Sequence, residues 1–232
     1  MSYSSYFILI VFFLINSCAY PELTRDELIY QNNFENGNLD SIDGGDITNY
    51  DDNNVIGDFN NDGFTIHLTD VGDHDYIYVS FDLYIHGSWD GNFNGFDIDD
   101  RPDKWIIEFK PDMNLFSNPE SDIFQTTFSN SPCFPNYCLR QSYPESYPSE
   151  NNPKTGSFET GLKRKCENNF FGAPTTLYKI EKGFRSSGNA IILRFYDELY
   201  QPNAIDKDGI PQEKCDESWS MDNIKIRVID YK

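Results

Sequence analysis

Apolar and polar residues alternate with a period of two in five stretches: Phe64-Thr-Ile-His-Leu68, Tyr76–Ile85, Trp105–Phe109, Ala190–Tyr196 and Ile224–Ile229. Successive side chains of an extended chain point to opposite faces, so this period predicts strands with one face buried. Between them lie Asn60-Asn-Asp-Gly63, Asp73-His-Asp75, Asp90-Gly-Asn92 and Ser186-Ser-Gly-Asn189. Their residues tolerate left-handed backbone or bond to their own main chain, and they read as turns. No comparably long segment shows helical spacing with caps. Many strands and almost no helix predict an all-β fold, an antiparallel β-sandwich with its two sheets face to face. A chain of 232 residues exceeds a minimal immunoglobulin-type sandwich and favours the larger jelly roll with long loops.

One apolar run breaks the alternation. Phe7–Ile15 lies at the N-terminus, and no charged residue occurs from Met1 to Ala19. The run has the length of a signal-peptide core and is too short to span a bilayer, so 1–19 reads as a signal peptide and the protein as secreted or cell-surface. Within Leu14-Ile-Asn-Ser-Cys-Ala-Tyr20, Ser17 and Ala19 are spaced for an ordinary signal peptidase, while Cys18 closes a stretch resembling a bacterial lipobox. Lipidation of Cys18 would be the protein's one link to a membrane. Residues 20–29 read as a short tether and 30–232 as one domain. Within it, 116–170 is rich in Ser, Pro, Asn and Tyr and reads as a loop-rich insertion.

The net charge of −20 disfavours nucleic acid and anionic lipid as partners and favours solubility and cations. Beyond Cys18 the cysteines are an even set, Cys133, Cys138, Cys166 and Cys215, as in an exported protein with two disulfides. Of three pairings, Cys133–Cys138 and Cys166–Cys215 are favoured, the first closing a tight loop around Pro135-Asn136. Zinc is the alternative, but no second close pair accompanies these cysteines, and His67, His74 and His86 lie far off in sequence. His67 and His86 fall in strand patterns, and His74 reads as a solvated turn residue.

Tyr30-Gln-Asn-Asn-Phe-Glu-Asn-Gly37, Val79-Ser-Phe-Asp-Leu-Tyr-Ile85, Ser88-Trp-Asp-Gly91 and Asp216-Glu-Ser-Trp-Ser-Met-Asp-Asn-Ile224 together resemble exported domains with a concanavalin A-like or laminin-G-like jelly roll. The resemblance implies a binding or adhesion module, frequently with structural calcium, and in some branches glycoside hydrolysis. It also implies a calcium site where the terminal strands meet, here pairing Glu35 with Asp222. The Glu-x-Asp-x-x-Glu strand of the hydrolase branches is missing, which weighs against an enzyme.

Calcium needs six to eight oxygens, and Asp90, Asp97, Asp99, Asp100 and Asp103 crowd one connection, where their charges repel unless neutralised. Calcium and a solvated acidic loop both fit this stretch. Asp58-Phe-Asn-Asn-Asp-Gly63 lacks the spacing of a calcium loop and reads as a hairpin turn. For a ligand, Trp89 in a turn beside Asp90 and Asn92 is the leading aromatic, with Tyr143 and Tyr147 as a further loop platform; Trp105 and Trp219, at strand starts, read as core. These features predict a module that binds a carbohydrate or another surface ligand. A glycoside hydrolase or lyase on the same fold, and a purely structural or adhesive surface protein, are the alternatives.

Overall fold

The computed structural model describes residues 21–93, 101–111, 122–166, 173–200 and 213–232. The leader with Cys18, the loop residues Asp97, Asp99 and Asp100, and parts of 116–170 lie outside the described residues. The elements are β1 (Leu23–Asn32), β2 (Ile42–Asp43), β3 (Ile47–Tyr50), β4 (Asn53–Phe59), β5 (Gly63–Thr69), β6 (Tyr76–Gly87), β7 (Lys104–Pro111), β8 (Asp122–Thr127), β9 (Glu159–Leu162), β10 (Thr175–Arg185), β11 (Ala190–Glu198), the short helix α1 (Glu213–Asp216) and β12 (Glu217–Tyr231). One sheet runs β3-β4-β12-β6-β10-β9, with β1 also paired to β12; the other runs β2-β5-β11-β7-β8. The strands pair antiparallel throughout. No helix among the described residues is long and apolar enough to cross a membrane.

The two sheets share one apolar core, in a sandwich-like arrangement. Ile77, Val79, Phe81, Leu83 and Ile85, alternate residues of β6, are buried with Trp105, Ile107 and Phe109 of β7 and Ile191, Leu193 and Phe195 of β11. The Trp105 ring lies 5.6 Å from Phe81 and 5.8 Å from Trp219, across the two sheets. All five alternating stretches are strands, as the periodicity predicts.

The tether expected over 20–29 is corrected: Leu23–Asn32 is a strand running along Ile224–Tyr231. It is an edge strand exposed along most of its length, so it lacks the alternation that marks half-buried strands. The loop-rich stretch 116–170 is not loop alone. It contributes β8 to one sheet and β9 to the other, and Gln141 within it is fully buried. Gln141 accepts from the Ser129 and Lys154 backbone amides and donates to the Tyr143 and Thr155 carbonyls, so loop packing here is polar as well as apolar.

Both favoured disulfides are present, Cys133–Cys138 and Cys166–Cys215. His86 is buried between the Thr175 and Ser220 hydroxyls, and burial pushes its pKa down to about 3, so it is neutral and structural. His74 is buried rather than solvated, with Nδ1 2.8 Å from the Gly72 carbonyl and Nε2 2.7 Å from Ser186 Oγ.

Candidate functional site

A concavity grows from a change of partner along β12. Trp219–Met221 pair with β4, whereas Ile224–Tyr231 pair with β1. Strand β6 continues along the opposite edge, its register slipping between Asp222 and Lys225. Asn223 sits at that slip with φ 53°, a left-handed conformation that asparagine adopts more readily than most residues. Beside the slip β1 ends, and the chain turns away through Asn33–Gly37.

That turn is pinned from inside. Phe34 is fully buried, and Asn32 Oδ1 accepts its backbone N–H at 2.8 Å. Asn32 Nδ2 donates to the Asn38 carbonyl at 2.9 Å, and Glu35 Oε1 accepts from the Asn54 backbone at 3.1 Å. Between this turn and the β12 slip lies a cleft of about 610 Å³, lined by Tyr30, Gln31, Asn33, Asn36, Asn223 and Lys225 among others. A volume of that size suits a small ligand. Asn32 and Asn38 are spent on holding the wall, while Asn33, Asn36 and Gln31 are exposed on it.

A second, shallower hollow of about 470 Å³ adjoins the cleft and shares Asn223 and Lys225 with it. Across the sheet Ser80 faces both Glu181 and Lys225, and Asp82 faces Lys179, so these side chains share one sheet face. Lys179 pairs with Asp82 at 3.6 Å, and Asn223 Nδ2 donates to Asp82 at 3.0 Å.

The aromatic platform expected from the sequence is corrected. Trp89 is fully buried, its indole N–H donating to the Ser218 carbonyl at 3.1 Å. Tyr143 is buried with its ring centroid 5.1 Å from both Phe128 and Tyr178. Large aromatics in polar stretches look like ligand platforms in sequence, but here the loops fold inward and need them as core. Tyr147 is half-buried, with the Lys104 ammonium 5.6 Å from its ring centre. Asn92 serves the fold: its Oδ1 accepts from the Thr127 and Ser142 hydroxyls, and its Nδ2 donates to the Ser149 carbonyl.

Of the acidic residues, Glu35 and Asp222 do come near each other, close enough that Glu35 and Asp82 help to raise the Asp222 pKa, although burial is the larger cause. Asp222 already accepts from the Asn53 side chain and from the Asn223 backbone and side chain, donors that stabilise its charge much as a cation would. Asp90 and Asp103 also meet. Asp103 is 3 % exposed and accepts the Asp90 backbone N–H at 2.9 Å. Burial, reinforced by Asp216, pushes Asp90 up to about 6, and burial raises Asp103 as well. No Lys or Arg among the described residues pairs with either. Likewise, no group of three or more His, Cys, Asp or Glu among the described residues is placed to hold a metal ion.

A carboxyl whose folded pKa is raised contributes stability below its ordinary value, 3.8, and loses that contribution as pH rises through the folded value, about 6 for Asp90. Metal-free protein is expected to show a Tm that falls between about pH 4 and pH 7, from the ordinary carboxyl value to the raised values of Asp90, about 6, and Asp103, about 7, with a shallower fall in Asp103→Asn. Thermal melts across that range check it, and an unchanged slope in the variant would remove Asp103 from the account.

No protein-family model matches this chain, and no curated protein matches it. The cleft escaped the sequence reading because its groups are ordinary amides. The signal was the amide density of Gln31-Asn-Asn-Phe-Glu-Asn-Gly-Asn38.

Proposed function

We propose that this protein is an exported binding module with a concanavalin A-like jelly roll, and that its amide-lined cleft holds a saccharide. The observation that carries the reading is the cleft wall: exposed Gln31, Asn33 and Asn36 opposite Asn223 and Lys225, on a turn fixed by buried Phe34. Sugar hydroxyls both donate and accept, and amides answer both needs from one planar group. A rigid wall has little ordering entropy left to lose on binding. The acidic chain and its two disulfides accord with an extracellular place, free or tethered through a lipid on Cys18. Calcium is proposed at Asp90 and Asp103, with which no Lys or Arg among the described residues pairs; calcium would favour the ionised carboxylates and flatten the pH dependence described above.

The test is a glycan array probed with the mature protein and with Asn33→Ala/Asn36→Ala. Both side chains are exposed, so the variant should keep the wild-type Tm while losing at least tenfold in affinity for any saccharide bound. Undiminished binding by the variant would move the site elsewhere. A second reading, glycoside hydrolysis, is favoured by Asp82 and Glu181, which share the adjoining hollow as diagonal neighbours on β6 and β10. Release of shorter sugars, abolished by Glu181→Gln, would convert the binding module into an enzyme.

A further inference from the structure

Far along the chain from the cleft, Cys133–Cys138 closes a loop of very small size, the two cysteines lying 5 residues apart with Cα atoms 4.4 Å from each other. Inside it Phe134 and Tyr137 exchange both backbone hydrogen bonds, N–H to carbonyl, at 2.8 and 3.2 Å. They are therefore a directly opposed antiparallel pair, and opposed residues place their side chains on the same face of the ladder. Alternation puts the adjoining cysteines on the other face. The bridge thus backs a miniature hairpin whose front carries two rings, and those rings are 58 % and 51 % exposed.

All the side chains from Pro132 to Tyr137 are exposed, so this disulfide supports no local core. What it fixes is the backbone pairing of two exposed aromatic residues, Phe134 and Tyr137. Isolated exposed apolar residues are common, but two aromatic residues directly opposed on one stapled hairpin form a preorganised contact surface. Its surroundings narrow the partner. Asp90, bonded to Ser131, lies close enough for its charge to help raise the Tyr137 phenol, behind the larger effect of burial. Asn136 adds an exposed amide at the turn. A wholly apolar pocket or a lipid bilayer would have to desolvate these groups, and the net charge of −20 repels anionic membranes. A ligand with an apolar face and a hydroxyl rim uses both features.

We propose that the Cys133–Cys138 tip is a second contact surface, on which Phe134 and Tyr137 stack the C–H face of a saccharide ring while Asp90, Asn136 and the Tyr137 hydroxyl bond its hydroxyl groups. The proposal borrows from the reading of the cleft only the ligand class; it shares no residue with the cleft, and Asp90 alone with the proposed calcium site.

The experiment is a nuclear magnetic resonance titration of the mature, oxidised protein. The probes are a β-1,4-linked glucose hexamer and its N-acetylglucosamine counterpart, both neutral and with flat C–H faces. The ring signals of Phe134 and Tyr137 are expected to shift saturably with at least one probe. Phe134→Ala/Tyr137→Ala should weaken binding at the tip at least tenfold with an unchanged Tm, and Cys133→Ser/Cys138→Ser should weaken it several-fold while both rings remain. The backbone amides of Asn33, Asn36 and Asn223 report on the cleft in the same spectra. Shifts at the cleft without shifts at the tip overturn this proposal and leave the cleft reading standing; shifts at the tip alone do the reverse. Silence at both places with both probes overturns the tip.

Discussion

Trp105→Ala is expected to lower the unfolding free energy by about 4 kcal/mol, which for a domain of this size shifts the Tm by roughly 10 °C. The ring is fully buried in one sheet, yet it touches Phe81 and Trp219 of the other, with Phe128 and Phe195 within 6.3 Å. Truncating it removes contacts that join both layers and leaves a cavity that stiff neighbouring strands cannot collapse to fill. Trp105→Phe should cost clearly less, because the indole N–H has no hydrogen-bond partner among the described residues and only ring volume is lost. Urea unfolding of the two variants measures the difference. Equal losses would mean that the indole nitrogen carries an interaction absent from this account.

The second large effect belongs to Cys166–Cys215. By the loop-entropy relation, a bridge closing 49 residues stabilises by about 4 kcal/mol, against about 2 kcal/mol for one closing 5. The longer bridge joins the chain beyond β9 to α1, at the entrance to β12, the strand that pairs with β1, β4 and β6. Cys166→Ser/Cys215→Ser is therefore expected to lower the Tm by roughly 10 °C, and Cys133→Ser/Cys138→Ser by about half as much. A greater loss from the shorter bridge would indicate that its loop supports the core, contrary to the exposure of its side chains.

What could be read in the sequence was what alternation encodes. The half-buried strands Tyr76–Gly87, Lys104–Pro111 and Ala190–Glu198 announce themselves because one face of each meets the core. Strand β1 does not, since an edge strand held mainly by backbone pairing to β12 places no constraint on side-chain polarity. The disulfide pairing was legible from spacing, because few alternatives exist for four cysteines. The exposure of the aromatic platform was misread for a physical reason: Trp89 and Tyr143 sit in stretches with polar neighbours, but those neighbours hydrogen-bond among themselves and bury the rings. Conversely, the cleft depends on where two distant segments, Tyr30–Ser41 and Asn223–Lys225, meet around a register slip. No local pattern announces such a meeting.

Glu35 and Asp222 were paired through resemblance, and the structure does bring them near each other at the same slip. The asparagines that accompany them, Asn53, Asn54 and Asn223, become meaningful only in three dimensions, as donors to those carboxylates. The same residue type lines the cleft and braces its wall, so composition alone cannot separate the two roles.

The most direct test of the cleft is a crystal structure of the mature protein soaked with the saccharide that scores highest on the array. Density for a sugar ring between Asn33 and Asn36 on one side and Asn223 and Lys225 on the other, with hydroxyl groups bonded to those amides, is the result expected. A well-ordered sugar bound away from that wall, with the cleft filled by solvent, would contradict the account.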